Sequence, residues 1–210
     1  MRRVTKRLEP EVLKLNCEEW SAIYLADKQN PTKKYRYRHP EIKAALKQET
    51  ADKCVYCESK IGHNTPGDVE HMTPSSVDAS LHFVWSNLTI ACTECNRRKN
   101  DYFDAQKPFL NPYVDDVEGR LIHLGPLVCW SPGDELAEMT VRILELSEMK
   151  REALIARKVE KIEQLNNAVA RLRSCNELMR ELMAIAIEKM KAVDAEYSGM
   201  IRSISATYCI

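Results

Sequence analysis

At 210 residues, with 44% hydrophobic and 30% charged side chains, the chain has an ordinary globular balance and enough length for one core, which excludes a disordered tract. Its 31 basic and 31 acidic residues cancel, so no global field draws a polyanion and any affinity for phosphate has to be gathered locally. No segment approaches the roughly 20 apolar residues of a membrane span and the N-terminus lacks a signal-type apolar run, so the expected setting is cytoplasmic, without a membrane.

Residues 1–50 read as a helical, partly basic segment, with Pro40 placed to open a helix through Leu46. Before it, Lys28, Lys33, Lys34, Arg36 and Arg38 bring five positive charges without an acid, interleaved with Tyr35 and Tyr37. That composition suits unpaired bases stacked over a cationic track, and equally a solvated loop between two helices. Residues 51–112 hold short segments and paired cysteines, the mark of a small metal-organised core in an α+β chain. From 113 to 210 the pattern gives a hairpin, Gly119–Gly125 with Pro126–Trp130, and then a long helical region.

In that region Ile155, Val159, Ile162, Leu165, Val169 and Leu172 recur at helical steps. Ser174 to Glu177 has the form of a capping box, which points to a second helix carrying Leu178, Leu182, Ile185 and Met190, or to one continuous helix. These stripes are suited to packing within the chain or to docking a partner. Met179, Met183, Met190 and Met200 tilt the reading toward a partner surface, because methionine adapts to varied contacts.

The chemistry concentrates in two CxxC pairs. In a reducing compartment eight cysteines point to metal ligation and free thiols rather than disulfides. Cys54, Cys57, Cys92 and Cys95 have the spacing of a closed tetrahedral zinc site, leaving Cys17, Cys129, Cys175 and Cys209 as packing thiols. A zinc with four thiolates has no open position, so any catalytic metal and base must be other residues.

Glu70 and His71 are the best such pair. Imidazole suits proton removal from water near neutrality, while a carboxylate is a hard oxygen ligand for magnesium or manganese. Adjacent strand residues point to opposite sides, so both can serve one site only if the chain kinks or the substrate lies across it. Asn87 is placed to accept the other ring N–H, and Asn96, at the start of a helix, to add an oxygen ligand. Arg97, Arg98 and Lys99 on that helix, with its N-terminus, are expected phosphate contacts; a solvated basic face is the plain alternative. The remaining histidines, His39, His63, His82 and His123, read as structural.

The order CxxC, acid-His with Pro74 three residues on, Asn87-Leu88, then CxxC-Asn96 and Lys99 resembles the HNH endonuclease family with its ββα-metal core. The resemblance implies that His71 is the general base, that Glu70 and Asn96 hold a catalytic Mg²⁺ or Mn²⁺, and that Asn87 orients the histidine. It implies phosphodiester hydrolysis through a single metal. Many members have Asp or His at the position of Glu70 and His at that of Asn96, and Ser75 to Asp78 stands where a Gly-Gly pair is common.

Beyond the core, Trp85 to Leu88, Phe109 to Pro112, Asp115-Asp116 and the helical C-terminal part are similar to the HNH subunits of Septu-type anti-phage systems, including retron-linked ones. This implies an effector nuclease working with a PtuA-like ABC-type ATPase, or with a retron reverse transcriptase and its msDNA. DNA is the favoured substrate and RNA, for example tRNA, the alternative. A non-catalytic zinc-dependent binding module and a toxin or homing nuclease acting alone are the competing readings.

Overall fold

The computed structural model describes residues 1–62, 66–174 and 176–210; His63 and the expected free thiol Cys175 lie outside the described residues. A buried Met1 begins an extended segment, and the Val4 N–H bonds the Pro112 carbonyl at 2.8 Å. Helix α1, Glu11–Ala26, is followed by the short α2, Pro31–Lys34, which runs into a 3-10 turn at Tyr35–Arg38. Helix α3, Pro40–Thr50, starts on the expected proline, whose missing N–H would be unbonded in a first turn anyway. His39 Nδ1 accepts the Glu41 N–H at 3.3 Å as its cap.

Strands β1, Asp68–His71, and β2, Leu88–Ala91, pair antiparallel, with Glu70 opposite Thr89 and His71 opposite Leu88. Helix α4, Thr93–Lys99, packs against β1 and completes a ββα unit. All four β2 residues are buried, so this strand reads as an unbroken run rather than an alternation. Asn111 and Asp115 brace the following loop, where the Asn111 N–H bonds the Asp115 carboxylate at 2.7 Å and the Leu110 N–H bonds Thr140 Oγ1 at 2.8 Å.

Helix α5, Val117–Arg120, leads into the expected hairpin of β3, Leu121–Leu124, and β4, Leu127–Trp130. Its two-residue turn needs Gly125, which sits at φ +61, where a side chain would be strained. Then come α6, Glu135–Ile143, a 3-10 turn at Met149–Arg151, α7, Glu152–Ser174, α8, Glu177–Lys191, and α9, Ser198–Thr207. No helix among the described residues is long and apolar enough to cross a membrane.

Helices α7 and α8 are separate and pack on each other. The expected capping serine is displaced: Ser174 lies inside α7 and donates to the Ala170 carbonyl, while Asn176 Oδ1 caps α8 by accepting the Met179 N–H at 3.1 Å. The face of α8 also differs from expectation. Leu178, Leu182 and Ile185 are exposed, whereas Ile187 is buried and Met183 and Met190 pack against the core. The helix carries two apolar stripes, and the core takes the one whose flexible methionines fill its irregular surface. Met200 is likewise buried rather than offered to a partner. Of the expected packing thiols, Cys17 donates to the Phe83 carbonyl and Cys129 is half-buried, but Cys209 is exposed. One hydrophobic cluster runs from Met1 to Ile204 and includes three of the four paired cysteines.

Candidate metal centre and active site

The Sγ atoms of Cys54, Cys57, Cys92 and Cys95 lie within 4.8 Å of one another. Tetrahedral zinc with Zn–S bonds of about 2.3 Å places its sulfurs about 3.8 Å apart, and Cys57 and Cys92 stand at 3.8 Å. The four thiols therefore fit a structural zinc. Backbone bonds hold the first turn, Glu58 N–H to the Cys54 carbonyl and Cys54 N–H to the Ser59 carbonyl, and the Val55 N–H ties it to Ile90 of β2. Cys92 caps α4, its Sγ accepting the Cys95 N–H at 3.4 Å. One N–H of the α4 N-terminus thus serves a thiolate, while Thr93 in its first turn lines the cleft that also holds His71.

Arg151, at the end of its 3-10 turn, is buried with Nη1 at 3.4 Å from Cys95 Sγ and 2.9 Å from the Leu144 carbonyl. Zinc with four thiolates carries a net charge of about −2, so a guanidinium beside it offsets buried negative charge. The sequence gives no signal for this contact, since Lys150-Arg151-Glu152 looks like any helix start.

The second constellation lines a cleft of about 640 Å³ between the N-terminal helices and the ββα unit, with Glu70, His71, His82, Asn96 and Arg97 among its walls. His71 ends β1 and the chain bends at Met72 and Thr73, which lets neighbours of opposite strand faces line one cleft. The His71 Nε2 lies 2.9 Å from the His82 carbonyl. A carbonyl only accepts, so Nε2 carries the proton and Nδ1 holds the free lone pair. Burial, with the nearby His82 ring, pushes His71 down to about 4, leaving a neutral imidazole at pH 7.

The ring of His71 is fixed by more than this bond. It stacks on His82 with centroids 4.7 Å apart and meets Tyr37 edge-on at 4.7 Å. His82 in turn stacks on Tyr24 at 4.0 Å, donates from Nε2 to the Lys34 carbonyl at 2.8 Å and accepts at Nδ1 from Ser75 at 2.6 Å. His82 was expected to be merely structural; it is the residue that orients His71.

Asn87 does not touch the imidazole, contrary to expectation. Its Oδ1 accepts the Thr73 N–H at 2.7 Å, and Nδ2 donates to the Thr73 carbonyl at 3.0 Å and the Leu81 carbonyl at 3.1 Å. One amide thereby fastens the bend after His71 to the residue before His82. The physical reason is the 3-10 turn Trp85–Asn87, which aims the side chain into the loop while the carbonyl of His82 occupies Nε2.

The basic triplet on α4 divides. Lys99 is 1% exposed and donates to Glu70 Oε1 at 2.6 Å and to the His71 carbonyl at 2.8 Å, so it is no phosphate contact. It sits on the helix face packed against β1, where only an ion pair makes its burial tolerable. Arg98 is held by Glu94 and Glu145. Arg97, largely exposed and lining the cleft, meets Glu94 at 3.3 Å in a solvent-exposed pair, so of the three it alone faces the cleft from solvent.

Burial pushes the Glu70 carboxyl above its usual range and Lys99 opposes this. A carboxylate has lone pairs beyond the one Lys99 uses, and the Asn96 amide lines the same cleft. One carboxylate with one amide oxygen and water is a donor set that a Mg²⁺-type cation accepts.

Residues 54–102 match the HNH endonuclease family and form an HNH domain. The chain is similar to the Septu protein PtuB of Bacillus thuringiensis, 31% identical over 113 residues, 53% of this chain and 43% of that protein. It is also similar to the Septu protein PtuB of Bacillus mycoides strain KBAB4, 26% identical over 185 residues, 70% of this chain and 63% of the relative. The chain therefore covers less than two thirds of either relative's length.

Proposed function

We propose that this chain is an endonuclease that hydrolyses phosphodiester bonds of nucleic acid, DNA foremost, as the effector of a Septu-type defence system. The observation that carries this reading is the fixed, neutral His71 in one cleft with Glu70 and Asn96. His71 Nδ1 takes a proton from water, the water oxygen bonds phosphorus, and the bond to the 3′ oxygen breaks with its electron pair left on that oxygen. That oxygen takes a proton from solvent, and His71 later returns its own. Glu70 and Asn96 are the residues that would hold Mg²⁺ or Mn²⁺, which when bound supplies Lewis-acid stabilisation of the phosphate charge. His82 positions the base, Asn87 braces the loop, and Arg97 meets a phosphate. The zinc holds the frame. A PtuA-like ABC-type ATPase in the cytoplasm is the proposed partner, supported by the Septu resemblance of the chain.

The test is cleavage of plasmid and of total cellular RNA, side by side, with magnesium or manganese and with the ATPase added. His71→Ala is expected to lower the rate by at least about 10²-fold, in the range of a lost general base, with zinc content unchanged and the chain still folded. Cleavage by His71→Ala at the wild-type rate would remove the proposed base.

A further inference from the structure

The cations best placed for substrate lie outside the HNH domain. Lys28, Lys34 and Tyr37 line the catalytic cleft opposite the ββα unit. On the other side of the same short strip, an open cavity of about 540 Å³ is lined by Trp20, Tyr35, Arg36, Arg38 and His39, and by one acid, Glu19 of α1. The strip from Lys28 to His39 contains no acid. Lys33 pairs with Asp27 at 3.4 Å, whereas Lys28, Lys34, Arg36 and Arg38 have no carboxylate partner among the described residues. Arg98 and Lys99 of α4, by contrast, are committed to acids.

The guanidiniums without acid partners lie near aromatic rings, and Arg38 Nε also donates to the Tyr37 hydroxyl at 3.2 Å. Arg38 stands 4.4 Å from the Tyr35 ring centre and Arg36 5.7 Å from that of Trp20. Tyr35 is 42% exposed, a large ring left in solvent beside two unpaired cations. Ring faces and guanidinium planes stack bases, and the cations pair with phosphates; in a duplex the base faces are already stacked, so only unpaired nucleotides use both.

Resting on the nuclease reading of the cleft, we infer that this N-terminal wall is a track for unpaired nucleotides flanking the scissile phosphate. Lys28 and Lys34 hold the backbone at the cleft, and Tyr35, Arg36, Arg38 and Trp20 take bases and phosphates beyond it. The strip is also tied to the base itself, because the Lys34 carbonyl accepts from His82 and Tyr37 abuts His71. Substrate held on the strip is thus held at a fixed place relative to His71.

The experiment uses the full zinc-loaded chain carrying His71→Ala, so that binding is read without cleavage. Fluorescence anisotropy follows a labelled single-stranded oligonucleotide, as DNA and as RNA, and the matching duplex. Arg36→Gln with Arg38→Gln is expected to weaken single-strand binding by about tenfold or more and to reduce the salt slope by about 1.4, at about 0.7 per lost phosphate contact. Tyr35→Ala is expected to weaken it by about tenfold, in the range of one stacked base, with the slope unchanged, and Tyr35→Phe to retain it. Lys14→Gln, exposed elsewhere on α1, should bind as the parent does.

Unchanged single-strand binding in the arginine double variant overturns the track. So does a Tyr35→Ala that is silent while the duplex binds as tightly as the single strand. DNA and RNA arms of equal affinity support it, as does a preference for either. Cleavage is measured separately on the wild-type chain, so the track can fail with His71-dependent cleavage intact, and the nuclease reading can fail with the binding results unaffected.

Discussion

His123 is half-buried in β3 with its Nδ1 sealed from solvent and without a hydrogen-bond partner. Burial pushes its pKa down to about 3, and the positive Met1 terminus and Lys158 add to this. In an unfolded chain the same ring titrates near 6.5. Between those values the unfolded state binds a proton that the folded state refuses, so the stability held above about pH 6.5 is lost as pH falls toward 3. His123→Phe removes that term. Urea midpoints of wild type and variant at pH 7.5 and pH 5 should diverge, wild type losing more on acidification; parallel losses would mean that His123 is not a buried neutral ring.

Not every side chain announces its partner this way. The two CxxC pairs were legible because their spacing is a local pattern tied to a metal, and the acid-His doublet and Asn96 were legible as far as sharing one cleft. Lys99, Asn87 and His82 were not, since their roles depend on which face of a short helix or turn meets β1, and sequence spacing over so few residues does not set that rotation.

Elements were legible in proportion to the strength of their punctuation. Pro40 gave the start of α3 and the Gly125-Pro126 turn gave the β3–β4 hairpin, because proline and glycine restrict backbone directly. Helix α8 has no such anchor for its rotation, and its two apolar stripes compete. The inward face makes a quantitative claim. Ile187→Ala should cost about 2–4 kcal/mol, the usual range for truncating a buried aliphatic side chain. Leu182→Ala, on the exposed stripe, should shift stability by less than about 0.5 kcal/mol. Equal losses in urea unfolding of the two variants would show that the other stripe faces the core.

For the whole molecule, the zinc turns bind more of the chain than the residues between them. Glu58, directly after Cys57, is buried and accepts from the Met1 ammonium at 3.1 Å, from Ser198 at 3.2 Å and from the Gly199 N–H at 3.2 Å. A Cβ on Gly199 would lie 2.8 Å from Glu58 Oε1, so only glycine lets α9 approach this closely. Lys53 completes the cluster on the Val193 and Ala195 carbonyls at 2.7 and 2.8 Å. Arg151 joins Cys95 to the start of α7, and Lys158, two turns further, is buried on the Pro126 carbonyl at 3.1 Å. Structural zinc contributes on the order of 10 kcal/mol, and these contacts should spread that contribution into both C-terminal helices. Chelation is therefore expected to remove hydrogen-exchange protection from α9 and the first turns of α7 together with β1 and β2, in one transition. If α7 and α9 kept their protection while β1 and β2 lost it, the buried charges around Glu58 and Arg151 would not couple the C-terminal helices to the metal.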